Sequence, residues 1–496
     1  MSDGEQKTRD QVPPAAHYEI NCSLATTMKD NINLLQKAEA VHFIGIGGIG
    51  ISAIARMLSL EGGSVTGTDI SLSEVTAELV KAGAKIKQGQ SLADIPKNTD
   101  LIIYTAAIEV ADPALLKKIK KLKIPSLSYS EALGIYSKTK KTIAISGTHG
   151  KTTTTAMLAT ILMKAKTSPN VIVGSLLTET KTNYVAGKGE YLVVEADEYR
   201  RSFLSLHPQI LLINNIDADH LDYYKDLKDV QSAFRELAKR VPKNGFVICN
   251  LNNKNVLPVV KNIKAKVVDY SQTDIKGLKL PLPGEHNRQN AQAALTIAKI
   301  LGMDERVARK ALENFQGTWR RFEYKGQMKS GALVYDDYAH NPQKVEAVIL
   351  GAREMYPRKK IKIVFQPHLF SRTKSLLQEF AKALSLADEV ILLPIYPARE
   401  AFDPTISSEM VADATCLLCH PRTGGDPVSK EKNRGWIPAS AGMTVGEGSN
   451  FKKEKMVSVL KSFNDVENYL RKTATKNDVI LIVGAGDVYK ISEEIL

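Results

Sequence analysis

The sequence predicts an α/β protein built of three tandem domains, and three observations carry that expectation. Short apolar runs that read as buried strands alternate with amphipathic stretches, the pattern of a parallel sheet with crossover helices. That pattern restarts at Lys141 and again after Arg321. At 496 residues the chain is also too long for one ordinary core. With joints near residues 135–140 and 318–322, the chain divides into a polar leader (1–39) and units spanning 40–138, 139–319 and 320–496.

Composition narrows the function classes. No apolar run approaches the roughly 20 residues that cross a bilayer, so no membrane partner is expected. Met1 to Ile20 is polar and lacks the apolar centre of a secretory signal, which points to a cytoplasmic location. A net charge of +13 suits a basic solvated surface or anionic, phosphorylated ligands. No long Lys/Arg run with interleaved aromatics accompanies it, so nucleic acid is not an expected partner. Four cysteines make no disulfide framework. Cys416, Cys419 and His420 spell the C-x-x-C-H of haem attachment, but that chemistry needs export, so they are expected to bind nothing. Nothing in the sequence sets the oligomeric state.

In the first unit, His42–Ile46, Ser64–Thr68 and Leu101–Tyr104 read as strands, with helices such as Ile51–Leu60 between them. Gly45, Gly47, Gly48 and Gly50 form a G-x-G-x-x-G loop after the first strand, and Asp69 follows near the end of the second. Glycines let the backbone approach a pyrophosphate, and the acid addresses a ribose. The spacing admits either a nicotinamide dinucleotide or a UDP-sugar.

The second unit carries the strongest signal: Gly147, Thr148, His149, Gly150, Lys151, Thr152 and Thr153 between an apolar run and a helical one. Strand, glycine loop and helix N-terminus make an anion cradle. Lys151 adds charge for nucleotide phosphates and Thr152 a hydroxyl for Mg²⁺, although the spacing is shorter than the usual phosphate-loop pattern. Glu195-Ala196-Asp197-Glu198 and Asp217-Ala218-Asp219-His220 end two further apolar runs. Each alone reads as a solvated acidic loop; beside a phosphate loop, each becomes a candidate metal-binding segment. His286 and Asn290 are spaced to share a helical face, and Arg320 and Arg321 at the second joint suit a phosphate or carboxylate clamp.

In the third unit, Asp336-Asp337-Tyr338-Ala339-His340-Asn341-Pro342 and Gln366-Pro367-His368-Leu369-Phe370-Ser371-Arg372-Thr373 follow strand candidates, where binding loops belong. Glycine and proline crowd residues 415–450, which predicts a loop insertion between a helix ending near Ala414 and another starting near Lys455.

G-T-H-G-K-T-T, E-A-D-E, the D-H pair, H-N-x-x-N, R-R-F, D-D-Y-A-H-N-P and F-Q-P-H, in this order, resemble the Mur ligases of peptidoglycan synthesis. The resemblance runs from Val41 to Leu496 outside the insertion. It departs from the familiar D-D-Y-G-H-H-P at Ala339 and Asn341. It implies a Rossmann-like N-terminal domain, a central P-loop ATPase-like α/β domain and a Rossmann-like C-terminal domain. The implied reaction is ATP-dependent joining of L-alanine to the carboxylate of UDP-N-acetylmuramate through an acyl phosphate. The related alternative is a ligase for another amino acid or a peptide. A nicotinamide oxidoreductase is the distant alternative, with no residue here to support hydride chemistry. By position, the resemblance implies catalytic roles for Lys151, His220, His340 and Arg372. It places ATP at Gly147–Thr153 with His286, Asn290 and Arg321, and Mg²⁺ at Thr152, Glu195 and His220. The UDP-sugar falls at Gly45, Gly47, Gly48, Gly50 and Asp69, and the incoming amino acid at His340, His368 and Arg372.

Overall fold

The computed structural model describes residues 34–35, 37–221, 223–398, 400–419 and 456–496. His420, most of the predicted insertion and most of the leader lie outside them. At the leader's end Leu34 and Leu35 are helical, and Leu35 is buried in the first core.

The described residues form three sheets. The first contains β1 (Ala40–Ile44), β2 (Ser64–Asp69), β3 (Lys85–Gln88), β4 (Leu101–Tyr104) and β5 (Ser126–Ser128), all parallel, in the order β3-β2-β1-β4-β5. That is a Rossmann-type order, and the crevice at its switch point lies beyond β1. The second contains β6 (Lys141–Ser146), β7 (Asn170–Leu177), β8 (Thr182–Val185), β9 (Tyr191–Glu195), β10 (Ile210–Ile213), β11 (Phe246–Cys249) and β12 (Lys266–Asp269). Its order is β12-β11-β10-β6-β9-β7-β8, with β8 antiparallel to β7 and β6 at the centre. The third contains β13 (Glu323–Gln327), β14 (Leu333–Asp337), β15 (Lys360–Phe365), β16 (Glu389–Leu392), β17 (Met456–Val459) and β18 (Asp478–Val483), ordered β13-β14-β18-β15-β16-β17 with β13 antiparallel.

The central strands are buried and mostly apolar because helices cover both faces of each sheet. Each fully buried Ile or Phe on them contributes roughly 1.5–3 kcal/mol. One apolar cluster runs without a break from the first sheet into one face of the second. Helix α1 (Ile49–Leu60) packs on the β7–β8 hairpin, where Asn183 Nδ2 donates to Ser52 Oγ at 2.9 Å. The first two domains thus share a core, whereas the third has its own clusters on its two faces.

Three helices aim the site: α2 (Lys151–Lys164), α3 (Glu285–Ile300) and α4 (Pro342–Met355). Helix α4 begins with Pro342 in its first turn and with Asn341 as cap, its Oδ1 accepting from the Lys344 N–H at 2.9 Å. Asn341, one departure from the familiar motif, therefore has a structural use, and Ala339, the other, is fully buried.

The predicted insertion needs correcting at both ends. Helix α5 (Ser408–Cys419) continues through Thr415–Cys419, where composition predicts loop; Thr415 is fully buried and its hydroxyl donates to the Val411 carbonyl. Beyond the undescribed stretch the chain resumes as strand β17, paired with β16, where a helix is predicted. No described helix is long and apolar enough to cross a membrane.

Candidate active site

The phosphate loop follows the central strand β6. Gly147 and Gly150 have φ of 130° and 81°, the left-handed region that only glycine enters without strain. A side chain on Gly150 would also lie 2.4 Å from Asn290 Oδ1, so α3 leaves no room for one. Helix α2 starts at the next residue, and its N-terminus faces the loop. The Lys151 ammonium donates to the Gly147 carbonyl at 2.9 Å and to both Glu198 oxygens at 3.0 and 2.7 Å. Burial pulls the Lys151 pKa down, but Glu198 and Asp197 outweigh it and the net shift is upward, so the lysine stays charged. Burial raises Glu198 in turn, against the opposing pull of Lys151.

Thr152 Oγ1 donates to Glu195 Oε1 at 2.9 Å, and Glu195 Oε2 accepts from the Gly174 N–H at 2.7 Å. His220, with φ of 54°, stands with Asp197 and Glu198, their ligand atoms all within 4.8 Å of one another. The predicted metal set Thr152, Glu195 and His220 is thus distributed over two adjoining clusters joined by the E-A-D-E turn. Asp197 and Glu198, which the predicted metal set leaves out, offer ligand atoms beside His220. The signal was present, because both sit in the acidic tetrad; choosing its first member depended on the resemblance alone.

A cleft of about 300 Å³ opens between the second and third domains. It gathers Thr148 to Thr153 and Glu195 from one side, His286 and Asn290 from α3, and Arg321, Asp337 and Lys344 from the third domain. Burial, then the Arg288 charge, lowers the His286 pKa, so this histidine presents a neutral ring. Asn214 and Asn215 also line the cleft. No motif marks them, because β10 ends at Ile213 and the turn that faces the cleft starts at Asn214, ahead of the acidic segment that the sequence singles out.

The paired arginines separate. Arg321 lines the cleft, and its guanidinium sits over the Tyr338 ring. Arg320, 3 % exposed, turns into the third domain, where Nε donates to Asp336 at 2.9 Å, Nη1 to the Gly486 carbonyl and Nη2 to that of Gly484. It anchors the interdomain joint and is no part of a clamp. Arg320 and Phe322 both have φ in the left-handed region, which turns the two neighbouring side chains to opposite sides.

His340, His368 and Arg372 come together beside the cleft, not in its lining. The His340 and His368 rings are 6.0 Å apart, and Arg372 donates to His368 Nδ1 at 3.2 Å. His340 Nδ1 lies 2.9 Å from the Tyr338 carbonyl, which can only accept, so the proton sits on Nδ1 and Nε2 is left as an acceptor. Burial, with the Lys344 charge next, holds its pKa down at about 3.

In the first domain the Gly47 N–H donates to Asp69 Oδ2 at 2.8 Å and the Ser71 N–H to Oδ1 at 3.1 Å. One oxygen of the predicted ribose-binding acid braces the glycine loop itself, and the other holds the turn that follows β2. Gly50 lies against Tyr129: a side chain there would be 2.8 Å from the ring. After burial, the carboxylates of Glu195 and Asp197 are what raise Tyr129's pKa, so the E-A-D-E turn lies near the first glycine loop across this tyrosine.

Three family models match the chain: "Mur ligase family, catalytic domain" over residues 40–141, "Mur ligase middle domain" over 145–277 and "Mur ligase, glutamate ligase domain" over 320–486. A UDP-N-acetylmuramate–L-alanine ligase of Clostridium kluyveri is 38% identical, covering 92% of this chain and 98% of its own. One from Caldanaerobacter subterraneus subsp. tengcongensis is 36% identical over 93% and 98%. Among solved structures, the UDP-N-acetylmuramate-alanine ligase of Thermotoga maritima superposes with a TM-score of 0.71 at 28% identity, over 92% of this chain and 98% of the other. A murein peptide ligase from Psychrobacter arcticus gives 0.64 at 21% identity with the same coverage, a likeness of fold.

Proposed function

The chain belongs to the Mur ligase family, and from that premise we propose that it joins L-alanine to the carboxylate of UDP-N-acetylmuramate, with ATP, in peptidoglycan precursor synthesis. The observation that carries the chemistry is the cleft, in which the phosphate loop and Glu195 face the third-domain cations Arg321 and Lys344. The relatives, named for this activity over almost their whole length, support L-alanine as the amino acid.

A carboxylate is a poor acyl donor, so its oxygen first attacks the terminal phosphorus of ATP and ADP leaves. The amine of L-alanine then attacks the acyl carbon, and inorganic phosphate departs with the carboxylate oxygen. Placing two anions in contact requires positive charge held in advance, which Lys151 and the α2 N-terminus supply. The hydroxyl of Thr152, the carboxylates of Glu195, Asp197 and Glu198 and the ring of His220 are the oxygen- and nitrogen-rich donor set a divalent cation such as Mg²⁺ takes. Bound there, the ion would neutralise phosphate charge. On the amino-acid side, a histidine with a pKa near 3 is too weak a base to deprotonate an amine at neutral pH. His340 Nε2 serves as a hydrogen-bond acceptor that orients the amine, and Arg372 suits the alanine carboxylate. The glycine loop of the first domain holds the UDP moiety, and the reaction is placed in the cytoplasm.

The test is ADP formation by the purified full chain with UDP-N-acetylmuramate and, in turn, L-alanine, L-serine, glycine and L-glutamate. L-Alanine should give the highest kcat/KM. Turnover indifferent to the amino acid, or fastest with L-glutamate, would overturn the assignment.

A further inference from the structure

We propose that Lys344 is a phosphate-binding residue that the third domain contributes to the nucleotide cleft opposite Lys151. The inference rests on the reading of that cleft as an ATP site and adds a ligand that none of the motifs contains.

Lys344 lines the cleft together with Lys151 and Arg321. Among the described residues no hydrogen bond or ion pair reaches its ammonium, although the Asp219 carboxylate is close enough to be felt. The Arg321 guanidinium likewise makes no hydrogen bond or ion pair among the described residues; the Tyr338 ring lies against it and the Asp337 carboxylate is close enough to be felt. Lys151, by contrast, is saturated by Glu198 and Gly147. The third-domain wall therefore presents two cations, neither hydrogen-bonded nor ion-paired to a carboxylate among the described residues, to a cavity whose far wall is a phosphate cradle. Such charge is costly to hold unless a ligand supplies the missing anion.

Helix position is the second, independent observation. Lys344 is the third residue of the 14-residue helix α4, whose N-terminus already carries positive partial charge. A cation in the first turn opposes the macrodipole, where an acid or a neutral residue is favoured. A residue that breaks a local rule without local compensation is expected where function requires it. Burial, with Arg321 adding to it, pushes Lys344's pKa down to about 8, the mark of a cation held at some cost. An anion held in the phosphate cradle and reached by Lys344 gives the third-domain wall its missing partner and ties the third domain to the second.

The experiment compares wild type with Lys344→Gln and Lys344→Arg, measuring equilibrium affinity for ATP and for adenosine and the melting temperature without nucleotide. Lys344→Gln should weaken ATP roughly tenfold or more, the range for losing a partly buried charge-assisted bond, while adenosine affinity stays unchanged. Lys344→Arg should recover most of the ATP affinity. The melting temperature of Lys344→Gln should equal or exceed that of wild type, because an unfavourable helix charge is removed. Unchanged ATP affinity in Lys344→Gln, an equal loss for adenosine, or a fall in melting temperature would overturn the proposal. Failure of wild type itself to bind ATP would instead reject the reading of the cleft.

Discussion

The two glycine loops occupy the same place in their sheets, after the strand at the switch point and before a helix, yet they are held in opposite ways. The first is braced from beneath by an acid: Asp69 accepts from the Gly47 N–H. The second is filled by a cation: Lys151 is bonded to Gly147 and Glu198. The same backbone cradle thus has two uses. With a carboxylate behind it, the loop is rigid and suited to holding a diphosphate that does not react. With a lysine, a helix dipole and an acidic cluster, it can offset charge that moves during phosphoryl transfer.

Replacing the cation should have the largest effect. Lys151→Ala should lower kcat by about 100-fold or more, the scale of one lost transition-state contact, with the fold retained by circular dichroism. Turnover within a few-fold of wild type would remove the distinction between the loops.

Steric exchange sharpens the comparison. Gly150→Ala places a methyl 2.4 Å from Asn290 Oδ1 on a backbone with φ of 81°, so ATP affinity should fall steeply. At Gly47, where φ is not positive, the nearest atoms are 3.0 Å away, and Gly47→Ala should weaken UDP-N-acetylmuramate more mildly. Kd measurements for both ligands check the order.

Asp69→Asn should raise KM for UDP-N-acetylmuramate several-fold with kcat nearly unchanged, because it slackens a binding loop and leaves the transfer site alone. An equal fall in kcat, seen in steady-state kinetics, would mean that this loop takes part in the transfer step.

The smallest effect concerns pH. His42, on β1 and fully buried, has its pKa lowered to about 4 by burial, with Asp94 opposing. Its folded pKa lies below the ordinary 6.5, so the stability it permits is complete above pH 6.5 and is lost as pH falls toward 4. His42→Gln should flatten the loss of melting temperature between pH 7 and 4.5. An unchanged slope would show that other groups dominate acid unfolding.

Much of this was legible in the sequence because it is local. Strand, glycine loop and helix are contiguous, and φ-positive glycines announce the cradle. The signals that failed are tertiary. Arg320 and Arg321 are alike in sequence, and only the left-handed backbone at Arg320 and Phe322 parts them. Lys344 carries no motif, and the phosphate loop it faces across the cleft comes from another domain. The β7–β8 hairpin went unread because its strands flank helix α1 of a different unit. The end of helix α5 is hidden in the sequence because its last residues run directly into the glycine- and proline-rich stretch, whereas Thr415 is fully buried against the fold.

The central claim is that the first loop delivers a carboxylate to the phosphoryl group held at the second. Oxygen-18 in the carboxylate of UDP-N-acetylmuramate tests it most directly. With ATP and L-alanine, the released inorganic phosphate should carry one labelled oxygen from each labelled carboxylate, read by mass spectrometry. Phosphate without label, formed at the same rate as product, would contradict the account.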